Sequence, residues 1–119
     1  MYKIVIVDDE IEIVKVIKRY LSRIKKYEIV TYNNPLDLLS NVDDDIDLFL
    51  IDVMMPQLNG LELMKKLKIL NNSYKFLIMT AYSSLDKGKE IIYEDDNIHI
   101  AKPFESMEYL EYKISKLLI

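Results

Sequence analysis

The sequence predicts an α/β protein, a doubly wound parallel sheet of five strands with five helices, in a single domain over residues 1–119. Three observations predict it. Short apolar, β-branched runs alternate along the chain with amphipathic stretches of helical period, the pattern of strand–helix–strand crossovers. These runs stop abruptly on polar residues, at Asp8, Asp52, Thr80 and Lys102. Half of the 119 residues are hydrophobic and 30% are charged, enough to fill one core and cover it with polar side chains.

Tyr2 to Val7 is a continuous apolar run ended by Asp8-Asp9, as expected of a strand buried on both faces. From Ile11 to Ile24, Val14, Ile17, Leu21 and Ile24 recur at helical spacing, with Lys and Arg on the other face. Glu28 to Tyr32 reads as the second strand. Asn33-Asn34-Pro35 then opens a short helix through Leu39, because proline suits the first helical position. Asp47 to Ile51 is the third strand, stopping at Asp52, and Pro56 to Gly60 is a turn. Leu61 to Leu70 is a helix, Lys75 to Met79 a fourth strand ending at Thr80, and Ser84 to Tyr93 a weaker helix. Asn97 to Ala101 is the fifth strand, ending at Lys102-Pro103, and Met107, Leu110, Ile114 and Leu117 mark a last amphipathic helix.

Several function classes are excluded or disfavoured. With no cysteine there is neither a disulfide nor a thiolate metal site, so a metal must be held by oxygen ligands or by the single His99. The N-terminal apolar run is too short to cross a membrane and lacks a signal peptide's flanks, which points to a cytoplasmic protein. A net charge of −4 without a dense Lys/Arg cluster gives no footprint for nucleic acid.

In parallel sheets covered on both faces, function gathers at the carboxyl ends of the strands. Here those ends carry Asp8, Asp9, Asp52, Thr80 and Lys102. Carboxylates brought together repel unless a cation lies among them or a proton is shared, and Mg2+, ahead of Ca2+, suits a small acidic cluster that leaves room for water and phosphate. Lys102 and Thr80 would add a positive charge and a hydroxyl donor beside a carboxylate able to form an aspartyl-phosphate, for which Asp52 is the best placed. Gly60 reads as a residue permitting the backbone conformation that opens the next helix.

Four strings, each following a predicted strand, carry a resemblance that covers the whole chain: Ile-Val-Asp8-Asp9-Glu10; Leu-Ile-Asp52-Val-Met54-Met-Pro56 with Gly60; Met-Thr80-Ala81; and Lys102-Pro103-Phe104. Together, in this order, they resemble the receiver (CheY-like) domains of two-component response regulators. The resemblance implies a flavodoxin-like sheet of order 2-1-3-4-5. It also implies a signalling phosphoacceptor, not an enzyme acting on external substrates, that assists its own phosphorylation and dephosphorylation. By it, Asp52 would be the phosphoacceptor and also a Mg2+ ligand, Asp9 a direct Mg2+ ligand, Asp8 a ligand through water, and Met54 a ligand through its backbone carbonyl. Thr80 and Lys102 would bind the phosphoryl oxygens, and Ala81 would leave room beside them. The bond to Pro103 would be cis. The phosphodonor would be a phosphohistidine on a sensor histidine kinase or phosphotransfer protein. The surface of the fourth predicted helix, fifth strand and last helix would respond, and could pair two copies after phosphorylation.

His99 departs from the family, which more often places Tyr or Phe at this switch position; it reads equally as a partly buried imidazole or as a switch working with Thr80. Tyr93-Glu94-Asp95-Asp96 replaces the Gly-Ala turn common in relatives, so no dimer geometry carries over. The alternative function is a receiver-like interaction module that does not use phosphorylation, whose mark would be a lost site residue. A flavodoxin-like cofactor binder would need a Ser/Thr/Gly-rich loop where Asp8-Asp9-Glu10 stands. Leu118 and Ile119 suggest a helix that continues, and with it an output domain.

Overall fold

A computed structural model of the chain describes residues 1–81 and 98–119. Five parallel strands, β1 (Tyr2–Val7), β2 (Tyr27–Tyr32), β3 (Leu48–Asp52), β4 (Lys75–Ala81) and β5 (His99–Lys102), form one sheet of order β2-β1-β3-β4-β5. The doubly wound sheet and its 2-1-3-4-5 order are as predicted. Four helices are present among the described residues: α1 (Ile11–Ser22), α2 (Pro35–Asn41), α3 (Gly60–Leu70) and α4 (Met107–Leu118). The helix predicted over Ser84–Tyr93 lies outside the described residues, as does the start of the fifth strand at Asn97.

The alternating side chains of the strands divide the core in two. Ile4, Ile6, Leu48, Leu50, Leu77, Met79 and Ile100 face α1 and α4, where Ile17, Leu21, Leu110 and Ile114 meet them. Val5, Val7, Phe49, Ile51, Phe76 and Ile78 face α2 and α3, which contribute Leu38, Leu63 and Leu67. Burial on both sides explains why these strands are continuous apolar runs rather than alternating ones.

Helix ends follow local chemistry. Asn34, Asn59 and Ser106 cap α2, α3 and α4 by accepting hydrogen bonds from the amides of Leu36 (2.9 Å), Leu61 (2.7 Å) and Tyr109 (2.9 Å). Helix α2 runs past the predicted Leu39 because Ser40 and Asn41 donate their side-chain hydrogen bonds to the carbonyls of Leu36 and Asp37, one turn back. Helix α1 stops at Ser22 rather than Ile24, where the chain turns through amide bonds from Ile24 to Leu21 and from Tyr27 to Ile24.

The order of strands reverses between β1 and β3. That switch point opens a crevice at their carboxyl ends, with Asp8 following β1 and Asp52 closing β3.

Candidate functional site at the carboxyl edge of the sheet

Asp8 is fully buried, and Asp52 and Thr80 are 4% and 2% exposed. Ionisable groups are buried at a cost unless partnered, and the partner here is Lys102 at the end of β5. Its Nζ lies 2.7 Å from Asp8 Oδ2, 3.1 Å from Glu10 Oε1 and 3.4 Å from Asp52 Oδ1. The other Asp8 oxygen accepts the backbone N–H of Glu10 at 2.9 Å, so both its oxygens are engaged. The Lys102–Pro103 peptide is cis, as the resemblance implied.

Among the described residues, the one ammonium of Lys102 faces the three carboxylates of Asp8, Glu10 and Asp52 and does not balance them. Burial, followed by the charge of Asp8, pushes the Asp52 carboxyl up to about 7; Lys102 works against that shift, and Asp9 adds slightly to it. Burial also opposes the charge on Lys102, but the Asp8 hydrogen bond and the charges of Asp52 and Asp8 more than offset it and raise the lysine above its ordinary value.

Ligand atoms of Asp8, Glu10 and Asp52 all lie within 4.8 Å of one another. A cluster of hard oxygen donors carrying excess negative charge fits a magnesium ion. Glu10 thus joins the acids at the site, whereas the metal ligands expected from the sequence are Asp8, Asp9, Asp52 and the Met54 carbonyl. Asp9 is exposed and stands outside this trio, although its charge reaches Asp52. The only hint of Glu10 in the sequence was its place as third acid of Asp8-Asp9-Glu10.

Thr80 lies on β4 beside Ala101 of β5, and its buried hydroxyl oxygen has no hydrogen-bond partner among the described residues. A buried hydroxyl of this kind is costly and suits an incoming polar group. Ala81 pairs with Lys102 across the same two strands. His99 is buried one step back from the edge, paired with Ile78. Met54 follows β3 with its side chain exposed.

Gly60 corrects the sequence reading. Its φ is not positive, so conformational freedom is not the reason for glycine. A Cβ there would collide with the Asp52 carbonyl oxygen and lie 2.9 Å from Val53 Cα. The Gly60 N–H donates to the Val53 carbonyl at 2.9 Å. The first turn of α3 therefore presses directly on the backbone that carries Asp52.

A family model described as the response regulator receiver domain matches residues 4–114. Among curated proteins, the transcriptional regulatory protein FlgR of Helicobacter pylori is 32% identical over 118 residues, covering 98% of this chain and 30% of that protein. The transcriptional regulatory protein CpxR of Escherichia coli K12 is 32% identical over 110 residues, covering 91% of this chain and 46% of that protein. The chain thus spans under half the length of these two relatives. Among solved structures, a response regulator receiver domain protein from Clostridium thermocellum superposes with a TM-score of 0.82 at 25% identity, covering 99% of this chain and 94% of that one. The response regulator TrrA of Thermotoga maritima, solved in complex with Mg2+-BeF, has a TM-score of 0.76 at 25% identity over 99% of this chain and 100% of its own. The chain belongs to the response regulator receiver domain family and is a signalling domain of the two-component type. No helix among the described residues is long and apolar enough to cross a membrane.

Proposed function

We propose that this receiver domain, taken as the whole span 1–119, accepts a phosphoryl group on Asp52 from a phosphohistidine of a sensor kinase or phosphotransfer protein. The observation that carries the reading is the convergence on Asp52 of the carboxylates of Asp8 and Glu10 and the ammonium of Lys102, from strand ends far apart in sequence. An Asp52 carboxylate oxygen attacks phosphorus, the new P–O bond forms, and the P–N bond to the donor imidazole breaks. The imidazole leaves with the electron pair and takes a proton.

Phosphoryl transfer needs positioning and charge neutralisation more than covalent help. Asp8, Asp9, Asp52 and the Met54 carbonyl would hold Mg2+, with Glu10 beside them; the bound ion would neutralise charge on the transferring oxygens. Lys102 pairs with a phosphoryl oxygen, and the Thr80 hydroxyl donates to another. The inward turn of Thr80 opens space that His99 follows, which passes the change to β5 and the neighbouring surface, where two copies could pair. Ala81 and the cis bond at Pro103 belong to the same frame. The setting would be cytoplasmic, and an output domain or a downstream protein, rather than this domain, would act on nucleic acid.

The test is incubation with a small acyl phosphate and Mg2+, read by intact-mass spectrometry. Wild type should gain one phosphate adduct, and Asp52→Asn and chelator-treated wild type should gain none. An undiminished adduct on Asp52→Asn would refute the assignment.

A further inference from the structure

The three carboxylates around Lys102 differ in depth. Side-chain exposure is 0% for Asp8, 6% for Asp52 and 58% for Glu10. A divalent ion drawn to the oxygens of Asp8 and Asp52 meets an ammonium already 2.7 Å and 3.4 Å from them, and the repulsion between the two cations drives the lysine away from that floor. A lysine displaced by the ion has, among the described residues, one remaining carboxylate partner, Glu10, which lies toward solvent. Glu10 is tethered for this, because its own N–H is bonded to Asp8 Oδ1 at 2.9 Å.

We propose that Glu10 is a positioning residue for phosphoryl transfer: it retains the Lys102 ammonium at the mouth of the site when a divalent ion occupies Asp8 and Asp52, within reach of the incoming phosphoryl group. This rests on the phosphoacceptor reading above. Without the Glu10 carboxylate, the ammonium either stays on the floor and competes with the ion or gives up its last counter-charge. Both weaken ion binding. Because Glu10 is more than half exposed, water screens the pair and the effect is modest, about two- to fivefold in affinity.

The experiment titrates MgCl2 into wild type, Glu10→Gln, Lys102→Met and the double variant, following backbone amides and the ε-methylene of labelled lysine by NMR. Glutamine keeps the length and the backbone N–H of residue 10. Glu10→Gln should weaken Mg2+ binding about two- to fivefold, and Lys102→Met should tighten it, since the competing ammonium is gone. In the Lys102→Met background the Glu10→Gln effect should largely vanish. The Lys102 ε-methylene signal should keep an ion-paired position on Mg2+ addition in wild type and move to that of a free lysine in Glu10→Gln. An equal loss of affinity in both backgrounds would make Glu10 a ligand or a bulk electrostatic contributor and overturn this proposal alone. Failure of wild type to bind Mg2+ at all would overturn it together with the metal assignment above.

Discussion

At Gly60 a single missing atom sets the position of the candidate nucleophile. A Cβ there would collide with the Asp52 carbonyl oxygen, backbone on a buried strand that cannot swing aside as a flexible side chain can. Gly60→Ala should therefore push the end of β3 away from α3, costing about 1–3 kcal/mol in urea unfolding and slowing phosphorylation by a small acyl phosphate. A variant as stable as wild type would mean that α3 yields instead. Tyr27 makes a different case. Its ring is in the core, and burial, then the charge of Glu111, push its hydroxyl from its ordinary 10.0 up to about 12. Because the folded value lies above the unfolded one, the stabilising effect of the neutral phenol is complete below pH 10 and is lost as pH rises towards 12. Tyr27→Phe should stay within about 1 kcal/mol of wild type at pH 7 and lose less stability than wild type between pH 10 and 12, in chemical unfolding across that range. Parallel pH profiles for the two proteins would remove Tyr27 as the cause.

At the scale of elements, legibility followed the physics of burial. Ile4 to Val7 and Leu48 to Ile51 were readable as strands because each is an apolar run too short for a buried helix and stopped by an aspartate, as a parallel strand covered on both faces should be. Asn34-Pro35 announced α2 correctly, but its end was hidden: Ser40 and Asn41 have the composition of a stop, and only in three dimensions do their side chains bond back to the helix. The same division runs through the site. The meeting of Asp8, Asp52 and Lys102 was readable because each stands at a strand end, and parallel strands bring such ends together. Glu10 was not, since its contact with Lys102 spans 92 residues and depends on how far the lysine reaches across the edge. Nor was the reason for Gly60, because close approach of α3 to β3 leaves no trace in composition or period.

For the molecule as a whole, the carboxyl edge opposes stability until a cation arrives. Asp8 and Asp52 are both buried, Glu10 is beside them, and among the described residues all three share the one ammonium of Lys102. For Asp52 the balance of forces is explicit: burial and the charge of Asp8 outweigh the attraction of Lys102, so the ionised carboxylate is held at a cost. Asp52→Asn removes that charge at constant shape and leaves Lys102 its two shorter contacts, to Asp8 and Glu10. In chelator at pH 7.5 the variant should therefore be more stable than wild type, by on the order of 1–2 kcal/mol in urea unfolding. Adding Mg2+ should reverse the ranking. Wild type gains about 1.4 kcal/mol for each tenfold excess of free ion over its dissociation constant, whereas the variant, with one anionic ligand fewer, gains less. If Asp52→Asn proved less stable in chelator and responded to Mg2+ as wild type does, Lys102 would be neutralising the edge by itself and the charge imbalance described here would be wrong.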